Sequence, residues 1–556
     1  MTLEELLHSL GYAGSPCFLK RGDGVFETEM GYGHIFRRAK APQASQVSTP
    51  PLWQAEGVYG IRESAHPAGR FTPIVYVCSA KDDNAAAELH RLLWNQDVAP
   101  YIIVHTNRGV RVYSGFNYAP KAKKAKDQGI LAALTDFDNV KSIIDQFSRR
   151  EIDEGRLWQR PNLRVDPSQR VYHRLLASLR ELDKSLQRDG LSKDVSHALI
   201  GKYVYLRYLR DRGILSDERL AVWDLKAEDI FGANAKKRSL SILAERLDEW
   251  LNGEVFPFPW RGGNAPSAAQ IQAVAGAFRG DEYSSEGTQT QLFDPYDFSF
   301  IPIETLSLVY EQFLHSQDLS EENGGKTKKT KGREEGAYYT PLPLVNFMLA
   351  SLERQKPLRQ GMKVLDPSCG SGSFLVQAYR LLIENTFPYT EKRPKPRELK
   401  KLLEDSIFGC DVDGDACQVT QLSLLLTLLD YVNPPDLRGS MHAFKLPTLC
   451  ESLDDKKISV GHTPNILKHN FFGVKSALSA AVSGKSDCEV DWKADGFDWV
   501  VGNPPWKPIK PKKLGVNDTP VWDWMKANAK RQPVGLNQVA QAFLWESPQY
   551  LKEDGL

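Results

Sequence analysis

The segment at residues 361–384, GMKVLDPSCGSGSFLVQAYRLLIE, places a short buried strand (363–365), a glycine-rich turn and a helix in immediate succession. That order commits this part of the chain to an α/β layer. Gly370 and Gly372 have no Cβ, so a ligand can come close to the backbone, and the helix start offers unpaired N–H groups. No lysine follows the glycines, which separates the turn from the phosphate loop G-x-x-x-x-G-K-[ST]; it is not the dinucleotide pattern G-x-G-x-x-G either. Alone, such a turn serves structure as readily as binding.

Three further strand ends follow it. SIFGCDVDGDACQVTQLSLLLTL supplies a second strand ending in Asp411 and a helix from about residue 413. An acid at that place is what a doubly wound sheet uses to hold ribose hydroxyls. Asp413 and Asp415 read as helix-start residues. HTPNILKHNFFG brings Asn470 and Phe471 to a strand end, and FDWVVGNPPWKP gives a buried strand (499–501) followed by Asn503, Pro504, Pro505 and Trp506. Four strand ends in order, each carrying glycine or polar residues, form the carboxyl edge of an open α/β sheet, where ligands bind in such folds.

The upstream chain is organised differently. Residues 1–150 read as mixed α/β, with strands at GVFETEM and at 73–81, a helix over roughly 84–94 and the hairpin YIIVHTNRGVRVYSG. From 167 to 253 apolar residues recur every three or four positions, as in Val171, Leu175, Leu179, Leu182 and Leu186, a stripe that Gly190 ends. Ser192 is placed to cap the next helix, and further helices fall at 239–251 and 301–315. Residues 256–291, rich in Gly, Pro and Ser, read as irregular, and 320–336 as a basic linker without apolar residues.

With 71 Lys+Arg against 70 Asp+Glu, the chain has no global charge that draws it to nucleic acid, so any such contact must be a local patch. The candidates are Lys121–Lys126, Lys326–Arg333 and, beside the N-P-P-W motif, Lys507–Lys513. Seven cysteines without a C-x-x-C pair argue against a zinc ribbon or a disulfide scaffold and favour a reducing cytoplasm; no metal site is expected from them. No stretch has the length and apolarity of a membrane span.

In their order, these motifs resemble the γ-class N6-adenine DNA methyltransferases of type I modification subunits, type IIG restriction–modification enzymes and phage-defence methylases. The resemblance runs from about residue 338 to 506. It implies a Rossmann-like S-adenosylmethionine methyltransferase sheet, preceded by a helical connector and an N-terminal mixed α/β domain. Tyr339, Thr340 and Pro341 match the motif beside the methionine end of the cofactor. Asp366, Ser368, Gly370 and Gly372 match its main loop, Asp411 its ribose acid, and Asn470 with Phe471 the segment around its adenine. Asn503, Pro504, Pro505 and Trp506 match the catalytic motif. Adenine's exocyclic amine is a poor nucleophile, and acceptors on its hydrogens (the Asn503 side chain and the Pro504 carbonyl) restore its lone pair. Trp506 offers a face for a flipped base.

The resemblance carries further expectations: domains at 1–150, 151–319 (connector), 320–336 (linker) and 337–556 (catalytic), double-stranded DNA as partner, and a role in restriction or phage defence alongside other system subunits. Type IIG enzymes place a nuclease first. Here Lys81 stands at a suitable strand end and Glu27 or Glu29 offers an acid, but Ser79 occupies the paired acidic position, so a nuclease-like domain without cleavage is expected, with a bifunctional enzyme and a partner-dependent DNA-binding subunit as alternatives. After N-P-P-W the family continues through a helix, here 537–551, into a fifth strand and a target-recognition domain. The chain ends in KEDGL, from which an unfinished sheet with an exposed apolar edge and a C-terminal continuation or partner subunit are expected.

Overall fold

The computed structural model describes residues 1–21, 52–62, 71–119, 128–134, 141–160, 163, 166–251, 256–280, 283–285, 288–290, 295–314, 340–387, 394–437, 444–452, 465–474, 492 and 496–556. The strand expected at GVFETEM, Glu27, Glu29, the basic runs at 121–126 and 326–333, the linker 320–336 and Tyr339 lie outside them.

The N-terminal sheet has six strands in sequence order: β1 (Phe18–Lys20), β2 (Trp53–Arg62), β3 (Phe71–Ala80), β4 (Tyr101–Thr106), β5 (Gly109–Ser114) and β6 (Ile130–Leu134). Only β3 and β4 pair in parallel, and the helix Asp83–Gln96 makes the crossover between them. Asp82 starts that helix by accepting a hydrogen bond from the Ala85 amide at 2.9 Å. The expected hairpin is β4–β5.

Downstream, Val171, Leu175, Leu179, Leu182 and Leu186 all lie on the buried face of the helix Val171–Arg188, as their spacing requires. Gly190, at φ +85°, turns the chain into the helix Lys193–Asp211. Ser192 stands at the capping position but its hydroxyl makes no capping bond. The reading of 256–291 as irregular needs correction. Ser267 and Gln270 form a reciprocal capping box that starts a helix, Ala268–Arg279, which buries Ile271, Val274, Ala275 and Phe278. The Gly/Pro/Ser-rich flanks mask this local start signal. A small hairpin, β7 (Tyr283–Ser285) with β8 (Thr288–Thr290), follows. Helices Lys237–Leu251 and Ile303–Leu314 match expectation.

The second sheet is parallel throughout: β9 (Val364–Asp366), β10 (Ile407–Asp411), β11 (Cys450–Ser452), β12 (Ile466–Lys468) and β13 (Trp499–Val500), in the order β11-β12-β10-β9-β13. Sequence order thus runs one way from β9 and reverses to β13 on its other side, which puts a topological switch point between β9 and β13. The fold is the Rossmann-like sheet expected, with β11 as an addition at one edge. At the other edge, the side expected to be open is paired: residues 551–556 run beside Phe497–Val500. Lys552 N donates to Phe497 O, Leu556 N to Asp498 O and Val500 N to Leu556 O, each at 2.9 Å. Asp498 ties this edge down by accepting from Lys552 Nζ at 2.7 Å and Lys356 Nζ at 3.0 Å. The helix expected over 537–551 is shorter, Val539–Glu546, because Pro548 forces a tighter turn at Ser547–Tyr550.

Helical region and second sheet share one core: Leu209, Leu306 and Val309 belong to the same buried cluster as Leu375, Leu425 and Trp499. At its centre Arg380 pairs with Glu304 (2.6 Å) and Asp430 (3.2 Å), and Tyr208 donates to Asp430 at 2.8 Å. These ions are buried, so each depends on its partners for solvation.

Candidate active site

The switch point collects most of the residues singled out by sequence. Asp366 ends β9, only 1% exposed, and accepts from the Ser368 amide at 3.0 Å. The turn beyond it is built for close packing. Gly370 and Gly372 have φ of +53° and +83°, where glycine is the residue without penalty. A Cβ on Gly372 would sit 2.9 Å from Thr420 Cγ2, and the Thr420 hydroxyl donates to Gly370 O at 2.6 Å. Thr420, on the helix Gly414–Tyr431, is thus a shaping residue that the motif reading passed over.

Asp411, at the end of β10, fastens two loops at once. Its Oδ2 accepts from the Gly370 amide at 3.0 Å and its Oδ1 from the Asp413 amide at 2.9 Å. Burial raises both carboxyls: Asp366 is pushed up to about 8, with the nearby Asp411 charge adding to the effect, and Asp411 moves in the same direction. A cationic group brought beside them would be favoured.

On the other side of the switch point, Gly502 leads into Asn503. A Cβ at Gly502 would fall 2.6 Å from Asp366 Oδ1, so the absence of a side chain lets the end of β13 lie directly against the end of β9. Gly502 is a second residue that sequence reading missed; its only signal was its position between a strand and Asn503. Asn503, Pro504 and Pro505 are half-buried, while Trp506 is 61% exposed and donates its indole N–H to Asn503 Oδ1 at 2.6 Å.

Asn470 lies past β12, where its Oδ1 accepts from the Phe472 amide and its Nδ2 donates to Asn517 O at 2.8 Å. Phe471 is 2% exposed and stacks on Phe543 at 5.4 Å, with Tyr550 at 4.7 Å, so its ring belongs to the core. Thr340 is buried, and Pro341 stands at the start of the helix Leu342–Gln355.

The turn can take a polar ligand. Ser368 Oγ is buried without a hydrogen-bond partner among the described residues. The missing side chain of Gly370 faces open space, with Glu311 Oε1 the nearest atom at 4.0 Å. Both features, together with the Asp411 carboxylate, fit a nucleoside-bearing cofactor with a cationic end.

In the N-terminal sheet, Ser79 donates to Glu56 Oε1 at 2.5 Å, beside the exposed Lys81. No group of three His, Cys, Asp or Glu able to hold a metal occurs among the described residues, nor does a helix long and apolar enough to cross a membrane.

Two family models match the part of the chain that carries the switch point. Residues 303–436 match the family described as N-6 DNA Methylase, and residues 405–556 the Eco57I restriction-modification methylase family. Over 85 residues the chain is 36% identical to the adenine-specific methyltransferase BrxX of Escherichia coli, covering 15% of this chain and 7% of that protein. Over 118 residues it is 30% identical to the type I restriction enzyme MjaIX methylase subunit of Methanocaldococcus jannaschii, covering 21% and 16%. The matches therefore span less than a fifth of either relative. Among solved structures, the type IIL restriction-modification enzyme MmeI in complex with DNA aligns at 16% identity over 68% of this chain and 48% of that one, with a TM-score of 0.42.

Proposed function

Taking residues 303–556 as part of the N6-adenine DNA methylase class, we propose that this chain transfers a methyl group from S-adenosylmethionine to the N6 amine of an adenine flipped out of double-stranded DNA, in restriction–modification or phage defence. The observation that carries the reading is the contact across the switch point. Gly502, next to Asn503, lies against Asp366, which supports the reading that an amine held by the Asn503–Trp506 motif would meet a ligand held by the glycine turn.

Asp366, Ser368, Gly370, Gly372 and Asp411 would hold the cofactor, with Tyr339, Thr340 and Pro341 at its methionine end and the segment of Asn470 and Phe471 near its adenine. When bound, S-adenosylmethionine supplies an electrophilic methyl group. The protein's part is positioning. Asn503 Oδ1 and the Pro504 carbonyl accept the two hydrogens of the adenine amine, which withdraws its lone pair from the ring and aims it at the electrophile. Trp506, exposed, stacks on the extruded base. The acidic side chains at the turn favour a cationic ligand, and the proton that the amine sheds once its new N–C bond has formed passes from the hydrogen bond at Asn503 or Pro504 to water.

In this reading residues 1–150 form a nuclease-like domain without cleavage, 151–319 the connector, 320–336 a linker and 337–556 the catalytic domain. The test is transfer of labelled methyl from S-adenosylmethionine to unmethylated phage DNA, with Asn503→Ala as control. Equal signal from wild type and variant refutes the catalytic assignment.

A further inference from the structure

Between Trp506 and the helix Thr519–Asn528 the chain makes a loop with a fixed foot and a bare tip. At the foot, Lys507 pairs with Asp518 at 2.7 Å, and Asn517 O accepts from Asn470 Nδ2 at 2.8 Å. Ile509 is buried, and its amide donates to Asn537 O at 2.9 Å. Beyond these ties the tip is open to solvent. Leu514 is 38% exposed and Val516 91%, and Lys510, Lys512 and Lys513 are all exposed. The tip has three lysines and no acid, although the whole chain is nearly neutral at +1.

An apolar side chain as exposed as Val516, with Leu514 partly exposed near it, does not suit water on a tip that carries three lysines. Such a tip suits a partner that is anionic outside and apolar between, which describes stacked base pairs flanked by phosphates. The loop also starts at the residue read above as the platform for the extruded base. We propose that this loop is a DNA wedge: Lys510, Lys512 and Lys513 hold phosphates beside the target, while Leu514 and Val516 enter the stack where the adenine has left. The proposal rests on the adenine-methylase reading and extends it to how the base is kept out of the helix. The occupant is duplex DNA, since a vacated stack exists only while the opposite strand remains in place.

The experiment uses the full chain. Once the methylated site has been mapped on phage DNA, two duplexes carrying it are compared, one with the target adenine opposite thymine and one with it opposite an abasic site, where extrusion is cheaper. The double variant Leu514→Ser/Val516→Ser is expected to lose at least ~tenfold in methyl transfer to the paired target while staying within about twofold of wild type on the abasic-opposed one. An unchanged rate on the paired target, or an equal loss on both, overturns the wedge. Replacing Lys510, Lys512 and Lys513 by Gln is expected to lower the log–log salt slope of duplex binding by about 2 to 3, at roughly 0.9 per phosphate contact. An unchanged slope overturns the phosphate contacts. Wild-type protein silent on every duplex, with Asn503→Ala no different from it on phage DNA, would instead bring down the methylase reading itself.

Discussion

The indole N–H of Trp506 donates to Asn503 Oδ1 at 2.6 Å, so one of the two lone pairs of the acceptor that the proposed reaction needs is occupied in the base-free protein. An adenine amine entering from the Trp506 side would compete with that indole N–H. A net hydrogen bond is worth ~1 kcal/mol, or about fivefold in binding. Trp506→Phe keeps a ring and removes the donor, and is expected to lower KM for DNA by up to about fivefold with kcat little changed. Trp506→Ala, which also removes the stacking face, is expected to weaken DNA binding by ~10-fold or more. Steady-state methylation with both variants checks this, and a rise in KM for Trp506→Phe would refute the competition.

Gly502→Ala places a Cβ 2.6 Å from Asp366 Oδ1 and forces the two strand ends apart. Methyl transfer is expected to fall ~100-fold, because misplacement by about an ångström at a reacting centre costs that much. Cofactor affinity measured by calorimetry is expected to fall as well, since Asp366 must move. An active variant with native affinity would show that the contact is incidental.

Asp366, raised to about 8 by burial, stays protonated in the folded protein over a range in which the unfolded chain has lost that proton. The folded state then binds more protons, so this group's contribution to stability declines as pH rises from about 4, near the ordinary carboxyl value, toward 8. Asp366→Asn removes the dependence. Thermal unfolding between pH 5 and pH 8 is expected to show a steeper fall for wild type than for the variant, and parallel profiles would contradict it.

Arg380 is the shared cation of Glu304 and Asp430 inside the core. Arg380→Met leaves two buried carboxylates without it and is expected to cost ~3–5 kcal/mol in urea unfolding. Combining it with Glu304→Gln is expected to recover part of that loss, because the second change removes one of the stranded charges. Strict additivity would show that the pair does not interact.

What could be read from the chain was local. Asp366, Asp411 and Asn503 announced themselves because a strand end and a polar or glycine residue fall together within a few positions. Gly502 against Asp366, and Thr420 against Gly370 and Gly372, depend on which strands become neighbours, and no window of sequence contains both members. Phe471 was placed by resemblance in the segment around the cofactor's adenine; that its ring packs on Phe543 and Tyr550, far along the chain, was not visible locally. The helix Ala268–Arg279 was hidden differently: its Ser267–Gln270 start was present, yet the glycine- and proline-rich surroundings outweighed it.

Because Leu306 and Val309 pack in one core with Leu375 and Trp499, and the counter-ions of Arg380 come from both regions, the helices before the sheet are not a spacer. For recombination between such proteins the seam does not fall at 337, where the catalytic domain was expected to begin. A chimera joined there inherits two half-cores from different parents. The heritable unit is the helices and the sheet together, and a substitution in one is expected to be answered by a compensating one in the other.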